Sequence, residues 1–389
     1  MDFGSSRRKF LVAGLGLPVA ASASRTAAPE QQAPPKPPSG APTFTYRTLG
    51  KTGLKVTSVG FGCMITSDGS VVERAADLGV TYFDTARSYM GGNNERMVGA
   101  ALKKRRKDLV LSSKTGAKTK PDALAHLDTS LKELGTDFLD IWYLHGKGSP
   151  ADVTDDLIDA QQTAKKAGKI RFAGVSTHGG QPQLIPFLAK HENIDVILTA
   201  YNFTMEPVMS QVVEAASKAG KGIVAMKVMA GGSRRLRPDD PNLKRLKQDG
   251  AMLAALKWVA KNPNINTCIP SMTDNDQLDE NLKAMASPYS AADEKLLTAR
   301  LEYIRPMYCN MCGQCDGTCR QGLPVQDVLR FLTYADGYGQ FGLGRERFAE
   351  LAPEHAGVRC ADCSGCTVQC PHGVKVAARM IRAQELFAC

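Results

Sequence analysis

After residue 30 this 389-residue sequence has no run of 18 apolar residues, so nothing in that stretch is built to span a membrane. It also lacks any RNA- or DNA-binding signature. Its formal charge of +10 comes from basic residues scattered along the chain, which predicts a solvated basic surface and no nucleic-acid partner. A flavin-binding motif is absent too, and with it an obvious converter between two-electron and one-electron chemistry. Length is not lacking: the chain exceeds the usual single domain, and a barrel of about 250 residues leaves room for a second module.

The first residues read as a targeting signal. Ser6-Arg7-Arg8-Lys9-Phe10-Leu11 is a twin-arginine pattern, followed by a short apolar run from Leu11 to Ala21 and the small-residue site Ala21-Ser22-Ala23. The alternative is a basic amphipathic N-terminus of no consequence. A signal over residues 1–23 predicts export of a folded protein to a bacterial periplasm, with no membrane span after cleavage. Residues 24–45 are Pro-rich and without apolar periodicity, which predicts an extended tether.

The chain has 11 cysteines, and in an exported protein these would ordinarily suggest disulfides. Their spacing argues for something else. Cys309, Cys312, Cys315 and Cys319 read C-x2-C-x2-C-x3-C, and Cys360, Cys363, Cys366 and Cys370 repeat the pattern with Pro371 after it. That is the bacterial ferredoxin run for [4Fe-4S] clusters, here in two complete copies, with zinc and disulfides as the competing readings. In such runs the fourth cysteine serves the other cluster, so Cys309, Cys312, Cys315 and Cys370 are expected on one cluster and Cys360, Cys363, Cys366 and Cys319 on the second. Cys63 and Cys268 fall in apolar strand contexts and read as inert core thiols. Cys389 stands outside both sets.

Between these ends, strand-like runs recur at Val56–Gly62, Val80–Asp84, Asp108–Ser113, Phe138–His145, Ile170–Ser176, Ile194–Ala200, Gly222–Lys227 and Asn264–Pro270. Each is followed by a helical pattern, such as DALAHLDTSLKELG or PVMSQVVEAASKAG. Two shorter strands around Gly50-Lys51-Thr52-Gly53 precede them. This alternation predicts an α/β protein, a closed (β/α)8 TIM barrel over residues 46–289, whose strand C-termini and following loops carry function. Residues 290–389 hold both cysteine sets among helical stretches. They predict a small, mainly helical dicluster ferredoxin domain.

Four ionisable residues sit where a barrel keeps its chemistry. Asp84 ends the VTYFD run, Tyr89 lies in the loop after it, and Lys114 and His145 end two later strands. Reducing a carbonyl needs a hydride on carbon and a proton on oxygen, and a free tyrosine with a pKa of about 10 is a poor acid/base near neutrality. A buried lysine beside the phenol favours phenolate, which predicts a lowered Tyr89 pKa. Asp84 would hold Lys114 charged, and His145 would donate a hydrogen bond to the substrate oxygen. Taken singly, Asp84 and Lys114 also read as a structural ion pair and His145 as a satisfied core residue.

These residues resemble a known family. FDTARSY with the GGNNE after it, SLKELGTDFLDIWYLH, GKIRFAGVS and IPSMTDNDQLDENL, in that order, are similar to the aldo/keto reductases from about Tyr46 to Ser287. The resemblance implies that Asp84, Tyr89, Lys114 and His145 form a catalytic tetrad, that the early hairpin plugs the barrel bottom, and that the cofactor is NAD(H) or NADP(H). It places Ser176 and Thr177 on the nicotinamide amide and Glu280 and Asn281 on the adenine. Thr273 can cap the helix DNDQLDENLKAM with Asp276 as the return partner of a capping box, a place suited to phosphate. Three departures from the pattern involve four positions. Leu198 stands where family members often have glutamine, Met226 where an aromatic stacks on nicotinamide, and Ser271 and Gln277 where basic residues clamp a 2′-phosphate. These departures fit either divergence within a working reductase or altered nicotinamide binding. The last of them predicts NAD(H) in preference to NADP(H), unless the basic loop of Arg234, Arg235 and Arg237 folds over the cofactor.

Together the motifs predict an exported oxidoreductase that acts on a small carbonyl or alcohol, with two [4Fe-4S] clusters for electron transfer and a redox partner protein. An electron-transfer or sensor subunit whose barrel binds a partner without turnover is the alternative.

Overall fold

The computed structural model describes residues 44–205, 207–231, 241–355 and 357–387. The twin-arginine pattern, most of the Pro-rich stretch, Arg234, Arg235, Arg237 and Cys389 lie outside the described residues.

A short antiparallel hairpin comes first, β1 (Tyr46–Thr48) and β2 (Lys55–Thr57). Its Leu49, Leu54 and Val56 pack with side chains inside the barrel, and the Lys51 N–H donates to the Gly220 carbonyl at 2.9 Å. The barrel then alternates β3 (Phe61–Gly62), α1 (Gly69–Leu78), β4 (Tyr82–Asp84), α2 (Asn93–Leu102), β5 (Val110–Thr115), α3 (Lys120–Leu134), β6 (Leu139–Leu144) and α4 (Asp155–Lys166). It continues through β7 (Ile170–Thr177), α5 (Gln181–Lys190), β8 (Val196–Ala200), α6 (Pro207–Lys218), β9 (Gly222–Met226), α7 (Pro241–Gln248), α8 (Ala251–Ala260), β10 (Thr267–Cys268) and α9 (Asn275–Ala286).

Strands β3 to β10 pair in chain order and in parallel. Val59 pairs with Cys268 across the remaining gap, where the Gly60 N–H donates to the Cys268 carbonyl at 2.8 Å. The result is a (β/α)8 barrel. Its strands are buried on both faces, which is why they read as nearly continuous apolar runs. Tyr82, Ile141, Tyr143, Leu198 and Val224 fill the interior, while alternate residues such as Phe83 and Trp142 pack outward against the helices.

Several boundaries differ from the sequence expectation. The run Val56–Gly62 is divided, because Val56 and Thr57 pair with the hairpin and only Phe61–Gly62 joins the barrel. The third barrel strand starts at Val110 and reaches Thr115, since Lys103–Asp108 winds as a 3-10 turn. The last strand shrinks to Thr267–Cys268. Asp274, not Thr273, caps α9: its carboxylate accepts from the Gln277 N–H at 2.9 Å. That moves the helix start by one residue and leaves Asp276 without the return-partner role, because the third helical position is Gln277.

Helix α10 (Ala291–Ile304) opens on the expected capping box, with Ser290 and Asp293 bonded reciprocally. It packs on the barrel: Leu297 meets Ala254 and Ala255 of α8, and Lys257 lies 3.3 Å from Asp293. Beyond it come the first cysteine loop, α11 (Val325–Asp336), α12 (Phe341–Ala349), the second cysteine loop and α13 (Val376–Phe387). These helices share their own apolar core, including Leu332, Val328, Met380 and Phe387.

A buried charge network fixes α11 to α13. Asp336 pairs with Arg379 at 2.9 Å and with Arg382 at 2.7 Å. Truncating Asp336 leaves the buried Arg379 without its counter-charge, whereas the Arg382 side chain is half-exposed, so Asp336→Ala is expected to destabilise these helices by about 3 kcal/mol. Denaturant unfolding followed by circular dichroism checks this, and a loss below about 1 kcal/mol would mean that water already screens the network.

The same end of α11 meets the barrel backbone. A Cβ at Gly337 would stand 2.2 Å from the Gly231 carbonyl oxygen, so only glycine allows α11 this close to the loop after β9.

Candidate active site

Asp84, Tyr89, Lys114 and His145 come together at the C-terminal end of the barrel. Register sets Asp84 of β4 against Ser112 of β5, and Lys114 two residues on reaches the same level. The Lys114 ammonium donates to the Asp84 carboxylate, to the Thr85 carbonyl at 2.7 Å and to the Tyr89 hydroxyl at 3.3 Å. Ser112 donates to the other Asp84 oxygen at 2.7 Å. Lys114 and Asp84 are almost wholly buried. The His145 ring stands edge-on to Tyr89, with centroids 5.9 Å apart.

The loop holding Tyr89 is itself held from below, and this explains the GGNNE stretch. Gly91 and Gly92 have φ of 60° and 92°, and a Cβ on Gly92 would clash with the Arg87 guanidinium. Buried Glu95 pairs with Arg87 and accepts from Ser113 at 2.5 Å. Buried Asn94 accepts from Thr85 at 2.6 Å and donates to the Cys63 carbonyl at 2.8 Å. The tyrosine is therefore fixed to three strands at once.

Electrostatics follow from burial. Desolvation pushes the Asp84 carboxyl up and the Lys114 ammonium down, and each charge partly restores the other. Tyr89 does not behave as the sequence predicts. Its pKa is raised well above the ordinary value, first by burial and then by the charges of Asp84, Tyr334 and Cys63. The cost of burying a phenolate outweighs the lysine beside it, so the resting group is a neutral phenol. Burial, then Lys114, Arg347, Arg330 and Lys227, pushes His145 well below its usual range. Its imidazole is neutral, with one N–H to donate.

A cavity of about 280 Å³ lies over this cluster. Tyr89 and Asp84 line one end, and Ser271, Gln277, Glu280 and Asn281 line the other. Four of the seven expected cofactor contacts are thus in one groove with Asp84 and Tyr89, as an elongated ligand would require, while Lys114 and His145 are not among its lining residues. The remaining three cofactor contacts are not among them either. Ser176 accepts from the Gly146 N–H at 2.9 Å, Thr177 donates to the Gly179 carbonyl at 2.7 Å, and Thr273 lies within 3.0 Å of the Gln277 amide. Met226 lines the cavity at the position where the family resemblance implies a stacking aromatic, while Leu198 is buried inside the barrel.

Sequence reading missed the outer wall. His178, Lys227, Gly337 and Tyr338 also line the cavity, the last two from the end of α11. A signal existed for Lys227, a strand-terminal lysine like Lys114. None existed for Tyr338, which belongs to a helix expected in a separate module.

The eight spaced cysteines lie in two loops joined by Thr367, whose hydroxyl donates to the Thr318 carbonyl at 2.8 Å. Their charges act on one another in two groups. Burial raises the Cys309 thiol to about 12, with further pushes from Cys315, Cys312 and Cys370. Burial raises Cys360 to about 11, helped by Cys363, Cys319 and Cys366. Among the described residues no three His, Cys, Asp or Glu side chains are gathered so as to hold a single metal ion, and no helix is long and apolar enough to cross a membrane.

The Aldo/keto reductase family model matches residues 67–302. Over 222 residues the chain is 31% identical to the uncharacterized oxidoreductase YqkF of Bacillus subtilis, covering 52% of this chain and 71% of that one. It is 27% identical to the L-galactose dehydrogenase of Arabidopsis thaliana, over 66% of this chain and 93% of the other. Among solved structures it is similar to the holo form of aldo-keto reductase AKR11C1 from Bacillus halodurans. That match has a TM-score of 0.58 and 27% identity, and covers 66% of this chain and 96% of the other.

Proposed function

We propose, from the premise that this chain belongs to the aldo/keto reductase family, that its barrel interconverts a small carbonyl compound and its alcohol with Tyr89 as the proton-transferring group. An aldo/keto reductase-like oxidoreductase is what the family and its oxidoreductase relatives support. The observation that carries the residue assignment is the Lys114 ammonium bonded to both Asp84 and the Tyr89 hydroxyl at the floor of the cavity.

A dihydronicotinamide, when bound, would supply the hydride needed in the reducing direction. Tyr89 gives its phenolic proton to the carbonyl oxygen, and its pKa, raised by burial, keeps that proton on until the oxygen gains charge. Lys114, at 3.3 Å, stabilises the phenolate left behind, and Asp84 holds the ammonium in place. Neutral His145, edge-on to Tyr89, is the proposed N–H donor to the same carbonyl oxygen. In the oxidising direction the Tyr89 phenolate accepts the alcohol proton. Ser271, Gln277, Glu280 and Asn281 would hold the far end of the dinucleotide.

Cofactor preference follows from charge. A 2′-phosphate calls for Arg or Lys, yet Ser271 and Gln277 stand there, and the Gln277 amide is already bonded to Thr273 and Asp274. The Asp274 carboxylate caps the helix beside it and would repel a phosphate. NAD(H) is therefore expected to bind at least several-fold more tightly than NADP(H), since a like charge near a partly solvated site costs on the order of 1 kcal/mol. Titration of both dinucleotides into the intact protein decides this; tenfold tighter NADP(H) binding would reverse the assignment.

For the cysteines, the reading is two [4Fe-4S] clusters, one on Cys309, Cys312, Cys315 and Cys370 and one on Cys360, Cys363, Cys366 and Cys319. What supports it is the repeated spacing together with the two groups in which the thiols influence one another. A cubane core keeps its four thiolates further apart than a single ion would, so the lack of a single-ion site does not conflict with it. Export by the twin-arginine route accords with such cofactors, because that route carries a protein already folded around them. A visible spectrum and mass spectrum of protein purified anaerobically tests these readings together. Absence of both iron-sulfur absorption and any retained dinucleotide would sink them.

A further inference from the structure

We propose that Lys227 binds an anionic oxygen group of the substrate, so that the barrel acts on carbonyl compounds carrying a carboxylate or phosphate on an apolar body. This rests on the reductase reading of the same cavity and narrows its substrate class.

Lys227 follows β9 directly and lines the cavity with Tyr89 and His178. Its backbone is in the left-handed region, φ 57°, where a lysine rarely sits. Two hydrogen bonds to its carbonyl keep it there, from the Asn202 amide at 3.0 Å and from the Ala230 N–H at 3.0 Å. A backbone held in an unfavourable conformation marks a side chain whose direction matters.

What the ammonium meets is unusual for a lysine. Its Nζ lies 4.8 Å from the ring centre of Tyr334 and 4.9 Å from that of Tyr338, and the two rings are stacked on each other. Aromatic faces hold a cation and orient it without neutralising it. Among the described residues no carboxylate pairs with it. Its pKa is lowered to about 7, by burial first and then by the cations Arg330 and Lys114. A charge in that position is short of a counter-ion, and a ligand anion would supply one.

The surroundings point the same way. Among the described residues lining the cavity, Asp84 is the acid near Tyr89, and it is taken up by Lys114; Glu280 lies at the far end. Arg330 and Arg347 also act on the catalytic end, though each has a surface partner, Asp327 at 2.8 Å and Glu350 at 2.7 Å. His178 Nδ1 is buried on this wall without a hydrogen-bond partner. Met64, Ile65, Met226, Val228, Met229 and Ile269 add an apolar lining, while the polar Ser271, Gln277 and Asn281 stand at the far end with Glu280. The site therefore fits a ligand with an apolar body and one anionic end. Because Tyr334 lies in α11 and Tyr338 just after its end, the helical module supplies part of the substrate site.

The test compares binding of phenylglyoxylate, phenylglyoxylamide and a phosphate-bearing aldehyde to the intact protein by calorimetry. Wild type is expected to bind phenylglyoxylate or the phosphate at least tenfold more tightly than the neutral amide. Whichever anion is preferred identifies the source of the charge. Lys227→Met should erase the preference, and Lys227→Arg should keep part of it. Equal affinity for anion and amide in the wild type overturns the proposal whether or not the variants fold. A preference that survives Lys227→Met, or a variant whose loss is confined to NAD(H) affinity, overturns it as well. Repeating the titration in Tyr89→Phe separates this proposal from the reductase reading, since anion preference there does not depend on turnover.

Discussion

Tyr89→Phe is expected to lower carbonyl reduction by at least about a hundredfold, the low end of what positioned proton transfer contributes. Only a hydroxyl is removed. The ring keeps its edge contact with His145 at 5.9 Å, and the Gly91-Gly92 turn with the Arg87–Glu95 pair beneath it does not involve the hydroxyl. Lys114 loses one acceptor but retains Asp84 and the Thr85 carbonyl at 2.7 Å, so the buried charge stays compensated. Rate and fold should therefore separate: turnover collapses while melting behaviour and cofactor spectra remain. Single-turnover reduction in wild type and variant measures this. A variant that keeps more than about a tenth of the rate would move proton delivery to another group, and His145 would be the first to test.

The second large effect concerns the cysteine loops. Cys319→Ser is expected to remove the cluster assigned to Cys360, Cys363 and Cys366 and to leave the other, taking iron from about eight to about four per chain. Serine keeps its proton at neutral pH and is a harder, poorer ligand for iron, so three thiolates would be left around an open corner. The reason to expect damage at a distance in sequence is electrostatic: Cys319 acts on Cys360, whereas Cys370 acts on Cys309, Cys312 and Cys315. Iron analysis with electron paramagnetic resonance of the reduced protein reads the outcome. Loss confined to the cluster of Cys309, Cys312 and Cys315 would contradict the crossed assignment.

The two predictions differ in how they were reached. Asp84, Lys114 and His145 could be named from strand ends and Tyr89 from the loop after one, because a parallel barrel brings the C-termini of its strands and the loops that follow to one face. The sign of the Tyr89 pKa could not be read in this way. It depends on how completely the phenol is desolvated, and that is set by Tyr334 and the other groups packed around it. Ser176 and Thr177 show the same limit: their positions on β7 were legible, but each hydroxyl is spent on a nearby backbone group, Gly146 N–H and the Gly179 carbonyl. The cap of α9 moved from Thr273 to Asp274 because both residues can cap, and a one-residue choice between neighbours rests on the local chain path.

By itself the sequence determined the strand and helix alternation, the four candidate catalytic residues, the Ser290–Asp293 cap and the spacing of the cysteines. All of these are properties of residues near one another in the chain, written in periods of two and 3.6 or in fixed intervals. Only the tertiary structure decided that α11 lies against the barrel through Gly337 and Gly231, that the stacked rings of Tyr334 and Tyr338 lie under Lys227, and that Lys227 shares a cavity with Tyr89. Those contacts join residues far apart in sequence. Their geometry follows from close packing of whole elements, which no local pattern records.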